Sequence, residues 1–379
     1  MGTSAIAELT AEFEEPFRVL GRDAARDRDA VVISWPSVPV EIIRAAGLRP
    51  VIARSGAEPT PAADAVLEPE LFPSRLHQLV EAALTGRLAH VAAIVLPRTS
   101  DPDYKCFLYL RELVRRGVVG ALPPVLLFDL LQSGAAEVPR YDAARTGQLL
   151  ASLAQISQRH PTDDDLRAAI GAAKRARAAA RRVDALRRSE PRLGGLEALP
   201  LLGAFWHLAP ERYAALADAA ADAIAARAPL AGPRAMLAGV PVDSNALHAA
   251  VESQGAIVVT EISPFGAAAA GDDVDDAPDP ITAIAERYRR SSIDARTPAA
   301  VLEGRIESVL PGVDVVVISL PRNDASFGWD YPRLRRLLER RSLPHTLLDV
   351  DPGRAIAAAD LRRIAALVGA SARAEARRG

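Results

Sequence analysis

One pattern appears twice along this chain. From Val91 to Asp129 an apolar run leads to Leu96-Pro97-Arg98, a polar loop, a helix-like segment, Pro123-Pro124, a second apolar run and Asp129. From Val313 to Asp349 the same features follow in the same order, with Leu320-Pro321-Arg322, Pro344 and Asp349. Upstream of each copy, Val38-Pro39-Val40-Glu41 and Val240-Pro241-Val242-Asp243 each precede a helix-like segment. All βαβ units look somewhat alike, but several features matched in order favour duplication. A duplicated chain of this kind forms two similar halves with a ligand cleft at the carboxyl ends of their strands.

The apolar runs are short and bounded by Pro, Gly or Asp, as buried parallel strands are. They are Val31–Ile33, Ala92–Leu96, Val125–Phe128, Ala235–Ala238, Ile257–Val259, Val315–Ile318 and Thr346–Leu348. Helical spacing fills most of the intervals. The segments ending at Ala46 and Arg116 are each followed by a glycine, Gly47 and Gly117, at a natural C-cap position. Alternation of strand and helix predicts a mostly parallel sheet. Between about 141 and 230 the pattern is helical only. Thr162 is a good N-cap, Asp163, Asp164 and Asp165 suit a helix start, and an Ala/Arg-rich helix runs on to about Arg188. Another helix is predicted over Glu211–Ala226. The expected fold is therefore α/β: two similar Rossmann-like parallel-sheet domains, 1–140 and 231–379, related by internal duplication and joined by a helical connector, 141–230.

Composition excludes several classes. With 379 residues, 49% hydrophobic and 25% charged, the chain can bury a large core, so disorder is not its main state. A net charge of −2 and few aromatic residues argue against a nucleic-acid partner. Cys106 is the only cysteine, which rules out an internal disulfide and an all-thiolate metal site. The segment from Met1 to Arg18 is acidic and lacks a signal-peptide pattern, and no apolar run approaches the roughly 20 residues that cross a bilayer. The expected location is the cytoplasm, without membrane contact.

Familiar chemical motifs are absent from the sequence: no G-x-G-x-x-G after a strand, no Walker A, no H-E-x-x-H and no G-x-S-x-G. The histidines are scattered and fit structural or solvated roles, and the acidic cluster around Asp272–Asp276 fits an exposed loop better than a calcium loop. What remains are four loops that follow strands and open into helices: Ser34–Glu41, Pro97–Asp101, Gly239–Ser244 and Pro321–Asp324. Backbone N–H groups at such places bind anions or acyl carbonyls. Glu41 falls in a first helical turn, where it either acts on a ligand or only complements the helix dipole. Arg98 and Arg322 either hold a phosphate or pair with Asp101 and Asp324.

These loops carry a family likeness. Val38–Val51, with Pro39, Glu41, Gly47 and Pro50, resembles the P-x-E-l-i-x-A-a-G-x-x-P-v segment of the 2-hydroxyacyl-CoA dehydratase family, which includes the subunits of ATP-dependent benzoyl-CoA reductases. Val95–Asp101 resembles the strand leading to that family's Cys-Asp pair, and Thr162–Ile170 its T-d-e-x-L-r-x-a-i helix start. Asp279–Tyr288 resembles its d-p-l-x-a-i-A-e-R-Y segment, and Trp329-Asp330-Tyr331-Pro332 with Leu343-Pro344 and Asp349 the element after its last cysteine. The resemblance implies one-electron chemistry: an ATP-driven activator reduces a thiolate-held 4Fe-4S cluster, the acyl-CoA carbonyl becomes a ketyl radical, and the C2 hydroxyl leaves. The chain departs from the pattern at the ligands themselves. Phe72 or its neighbour, Ser100, and Arg322 or Asn323 stand where the family has cysteines.

The resemblance implies a lyase-type subunit that binds an acyl-CoA thioester and forms a hetero- or homodimer with a homologous family subunit, a cluster-bearing homologue being the natural partner. No cofactor or metal is expected in this chain. The alternative is a cluster-free pseudoenzyme or scaffold that retains the cleft. The candidate catalytic residues are Glu41, as an acid–base group, and Ser37. The candidate substrate-binding residues are Arg98, Ser100, Asp101, Arg322 and Asn323.

Overall fold

Each of these apolar runs forms a parallel strand, and one further strand joins them. The computed structural model describes residues 2–375 apart from 16, 121, 241–242, 292, 322–323, 325 and 351–354. Arg322 and Asn323, and Pro241 and Val242 of the repeat, therefore lie outside the described residues. In the first half, α1 (Gly2–Glu14) and α2 (Ala24–Asp27) precede β1 (Ala30–Ile33), α3 (Val40–Ala45), β2 (Arg49–Ile52), α4 (Pro61–Asp64), α5 (Ser74–Leu84), β3 (Ala93–Pro97), α6 (Asp101–Arg115) and β4 (Val125–Phe128). The helices α7 (Val138–Ser157), α8 (Asp163–Ala185), α9 (Gly195–Gly203) and α10 (Pro210–Ala225) follow. The second half runs β5 (Arg234–Gly239), α11 (Ala246–Glu252), β6 (Ile257–Glu261), α12 (Pro280–Ser291), α13 (Ala299–Val309), β7 (Val315–Ser319), α14 (Phe327–Arg340), β8 (His345–Leu348) and α15 (Ala358–Glu375).

The sheets order identically, β2-β1-β3-β4 and β6-β5-β7-β8, with every pair parallel. That shared order is what duplication of one α/β unit produces. The strand missed by sequence reasoning is β2. Its Arg49 and Pro50 hide the apolar signal, and its place at a sheet edge tolerates the proline, which has no N–H to donate.

The helical layer explains its own composition. Ala173, Ala176, Ala179 and Ala180 of α8 are buried, as are Ala217, Ala220 and Ala221 of α10. Small side chains let the two helices approach closely. Helix α1 lies on the same layer: Leu9 and Phe13 share a core with Val183, Leu199, Trp206 and Tyr213. Thr162 caps α8 in a capping box with Asp165. Gly47 and Gly117 take the left-handed conformation just past α3 and α6, φ 71° and 69°.

The halves touch directly at their strand ends. Arg54, after β2, donates to the Asp243 carbonyl at 2.8 Å, and the Ser55 N–H donates to the Asp243 carboxylate at 2.6 Å. The Trp35 indole donates to the Ile293 carbonyl at 3.3 Å and stands edge-on to Phe265, ring centres 5.1 Å apart. The expected cleft is thus largely closed by contacts between its walls.

Candidate functional site

In the order β2-β1-β3-β4 the connections leaving β1 and β3 run to opposite sides of the sheet, and a crevice opens between them. A pocket with about 250 Å³ of empty space lies there. Ser37 reaches it from the loop after β1, Arg98 and Thr99 from the end of β3, and Gln132 from beyond β4. Asp294 and Arg296, in the link between α12 and α13, cover it from the second half.

The pocket's polar groups differ in how they are satisfied. Among the described residues, the buried Ser37 Oγ has no hydrogen-bond partner. Asp294 is 4% exposed, and its carboxyl is raised from an ordinary 3.8 to about 6. Burial is the main cause, offset in part by the Arg296 N–H, which donates to it at 2.8 Å. Arg296 donates to the Arg98 carbonyl and, at 3.1 Å, to Asp129. Arg98 pairs with Asp129 at 3.5 Å rather than with Asp101, which is exposed at the start of α6. The arrangement offers a protonatable carboxyl, an uncommitted hydroxyl and two guanidinium groups to a small polar ligand.

Behind the pocket, Asp103 anchors the two loops. It accepts from the Ser34 hydroxyl at 2.9 Å and from Arg75 at 2.8 Å, and from Thr99 at 3.3 Å. Ser100 is turned toward this anchor: its hydroxyl donates to Asp103 and accepts the Asp103 N–H at 3.2 Å as the cap of α6. The guanidinium of Arg75 also covers the Trp35 ring at 4.5 Å.

Glu41 stands in the first turn of α3, as expected, but away from this pocket. It is fully buried; Arg177 of α8 donates to one carboxylate oxygen at 2.6 Å and the Tyr288 hydroxyl to the other at 2.8 Å. Tyr288 in turn accepts the Val40 N–H at 3.1 Å. Burial alone would raise the Glu41 carboxyl, but the charges of Arg177 and Arg287 and the Arg177 hydrogen bond outweigh it and hold it below the usual 4.5. Of the candidates, Ser37 and Arg98 come together, Ser100 faces the scaffold, and Glu41 ties three segments of the chain.

Asp294, Arg296 and Gln132 escaped sequence reasoning. They sit on connections that carry no motif, and only the packing of one half on the other brings Asp294 to Ser37. The family model for the 2-hydroxyglutaryl-CoA dehydratase D-component matches residues 37–368, nearly the whole chain. The chain belongs to this family. No curated protein matches it. As a dehydratase-family chain it can be tested against the family's 4Fe-4S cluster by its donor atoms. Its single cysteine, Cys106, is buried in the core between the first sheet and α5 and α6, and burial, with Asp103 nearby, pushes its thiol far above the usual 9.0. Phe72, expected with its neighbour to stand where the family has a cysteine, packs edge-on to Tyr109 at 5.5 Å. Among the described residues no group of three or more His, Cys, Asp or Glu is placed to hold a metal ion. These residues do not fit a thiolate-held cluster. Among the described residues, too, no helix is long and apolar enough to cross a membrane.

Proposed function

We propose that this dehydratase-family subunit binds an acyl-CoA thioester with its carbonyl end in the pocket between the halves, and works beside a homologous subunit that carries the redox cluster. The observation that carries this reading is the buried, unpartnered Ser37 hydroxyl next to Asp294. A buried hydroxyl without a partner costs about 1–3 kcal/mol, which a ligand's carbonyl oxygen would recover. A neutral Asp294 would be a second donor to the same oxygen, and Arg98 and Arg296 would favour an anionic ligand. Calorimetric titration of the full chain with short acyl-CoA thioesters, with free CoA as control, tests it. Saturable binding that weakens about tenfold or more in Ser37→Ala supports the reading, since a hydrogen bond of about 1.4 kcal/mol corresponds to that factor. Absence of binding to any thioester overturns it.

A second reading is a binding or scaffold subunit without chemistry of its own. The occupied carboxylate of Glu41 and the enclosed thiol of Cys106 favour it, because neither group is free to react. Co-expression with a cysteine-bearing homologue separates the two. Dehydratase or reductase turnover that requires both chains supports the first; binding without turnover supports the second.

A further inference from the structure

The second sheet has its own crevice, and it differs in kind from the first. At the carboxyl ends of β5 and β7, between α13 and α14, lies a chamber of about 520 Å³ of empty space, part of it open to solvent. Its walls are aliphatic and aromatic: Ile262, Leu302, Ile306, Ile318, Phe327 and Leu337. At its edge stand Asp330, Glu303 and Arg333. Glu303 and Arg333 are ion-paired with each other, and Arg340 approaches Glu303 at 3.2 Å. Asp330 has no hydrogen-bond or ion-pair partner among the described residues, and Asp324, whose carboxylate caps the start of α14, adds negative charge nearby.

Comparison of the two halves shows what is special here. Counted from each Leu-Pro-Arg element, Phe327, Asp330, Tyr331 and Leu334 stand where the first half has Asp103, Cys106, Phe107 and Leu110. In the first half that layer is closed: Phe72, Leu76, Cys106 and Leu110 all belong to one buried core, and Phe72 stands edge-on to Tyr109. Phe72 lies two residues before α5; the residue two before α13 is Thr297, whose hydroxyl accepts the Asp294 N–H at 3.0 Å. The aromatic plug of one repeat is thus missing from the other, and an acidic group replaces a core thiol at the opening. An apolar-walled opening with a few polar groups at its edge is a usual form of a small-molecule site.

We propose that this chamber binds a small primary amine with an aliphatic or aromatic body, its apolar end against Ile306 and Ile318 and its ammonium on Asp330. The walls supply the burial that drives binding, and the unpaired carboxylate selects a cation over a neutral or anionic head group. Burial holds the Asp330 carboxyl somewhat above its ordinary range, opposed in part by the charge of Arg333 and aided by Asp324, and an arriving ammonium would lower it again. This site is separate from the thioester pocket, so either can fail while the other stands.

Three probes of equal chain length test the assignment on the full chain: hexylamine, hexanol and hexanoate, titrated by calorimetry at neutral pH. Hexylamine is expected to bind saturably at one site, hexanol about tenfold more weakly, and hexanoate more weakly again, a tenfold step being about 1.4 kcal/mol. Asp330→Asn should bring hexylamine down to the affinity of hexanol and leave hexanol unchanged. Ala299→Phe, which sets a ring in the chamber, should abolish binding of both. Methyl spectra of isoleucine-labelled wild type give a readout that needs no variant: hexylamine should shift the Ile306 and Ile318 signals and leave those of Ile33 and Ile42 in place. No saturable binding of hexylamine, an Asp330→Asn affinity equal to wild type, or shifts confined to other isoleucines would overturn the proposal.

Discussion

Arg177 donates to Glu41 at 2.6 Å with both side chains wholly shielded from solvent. The pair joins α8, in the helical layer, to the first helix after β1. Beyond the end of α8 a second buried arginine, Arg187, bonds Glu261 at the end of β6 and Asp184 in the last turn of α8. Helix α8 and the turn that follows it thus present one arginine to each half of the duplicated chain, and each meets a buried carboxylate. Tyr288 of α12 closes the first of these pairs, so three separate segments converge on Glu41.

Such a pair is hard to break from one side. Glu41→Gln leaves Arg177 and Arg287 in the interior without the compensating charge. The expected loss of stability is about 3–5 kcal/mol, the usual cost of orphaning a buried partner. Replacing both members, Glu41→Leu with Arg177→Met, should recover much of it. Urea denaturation of Glu41→Leu, Arg177→Met and the double variant gives the coupling; additive losses would mean the pair is not energetically linked.

The same two carboxylates set the acid limit of the fold. Glu41 and Glu261 are both held below the usual 4.5, their partner arginines outweighing burial. A depressed carboxyl contributes stability that is complete above its unfolded value and is lost as pH falls through its folded one. Their contribution should therefore be intact at pH 6 and erode only below about 4, where unfolded carboxylates begin to take protons. Melting followed from pH 7 to 3 in wild type and Glu41→Gln measures this; parallel curves for the two proteins across that range would refute it.

Much of this architecture was legible because its signals are local. The run Ala92–Leu96 is a strand by its own composition, Gly47 ends a helix by its own conformation, and Thr162 starts one by its own hydroxyl. β2 was not legible, since Arg49-Pro50 masks a strand that only its neighbour β1 stabilises. The site divides in the same way. Ser37 and Arg98 follow strands and could be placed near an opening. The fate of Glu41 could not, because Arg177 and Tyr288 come from 136 and 247 residues away and no pattern near Glu41 announces them.

Cys106 offers a probe of how tightly the first core is closed. Its sulfur is buried in the core that also holds Phe72, Leu76 and Leu110, and burial raises the thiol well above 9.0, so almost no thiolate exists at neutral pH. A thiol reagent such as 5,5′-dithiobis(2-nitrobenzoate) should label the native protein only at the rate of core opening, and label it at once in denaturant. Fast stoichiometric labelling of the native chain at pH 7.5 would show that this core opens readily.

Asp294 links the pocket to pH in the opposite sense from Glu41. Its carboxyl is raised from 3.8 to about 6 by burial, with Asp103 adding a small like-charge contribution and Arg296 and Arg305 opposing. A raised carboxyl binds its proton more tightly in the folded protein, so its contribution favours folding at low pH and fades as pH rises through about 6. Taken alone the change is on the order of 3 kcal/mol, since a tenfold gain in proton affinity corresponds to about 1.4 kcal/mol. Asp294→Asn should remove it: the variant is expected to gain stability relative to wild type as pH rises from 4 to 7. The consequence for the pocket follows from the same proton. Neutral Asp294 can donate to a ligand oxygen, whereas the carboxylate can only accept, so thioester affinity should be highest below pH 6 and fall above it. Asn at the same place keeps an N–H donor at every pH. Titrations at pH 5.5 and 7.5 should therefore show a loss of affinity in wild type and little change in Asp294→Asn. An equal pH response in the two proteins would remove Asp294 from the binding site and leave it as a structural acid of the link between α12 and α13.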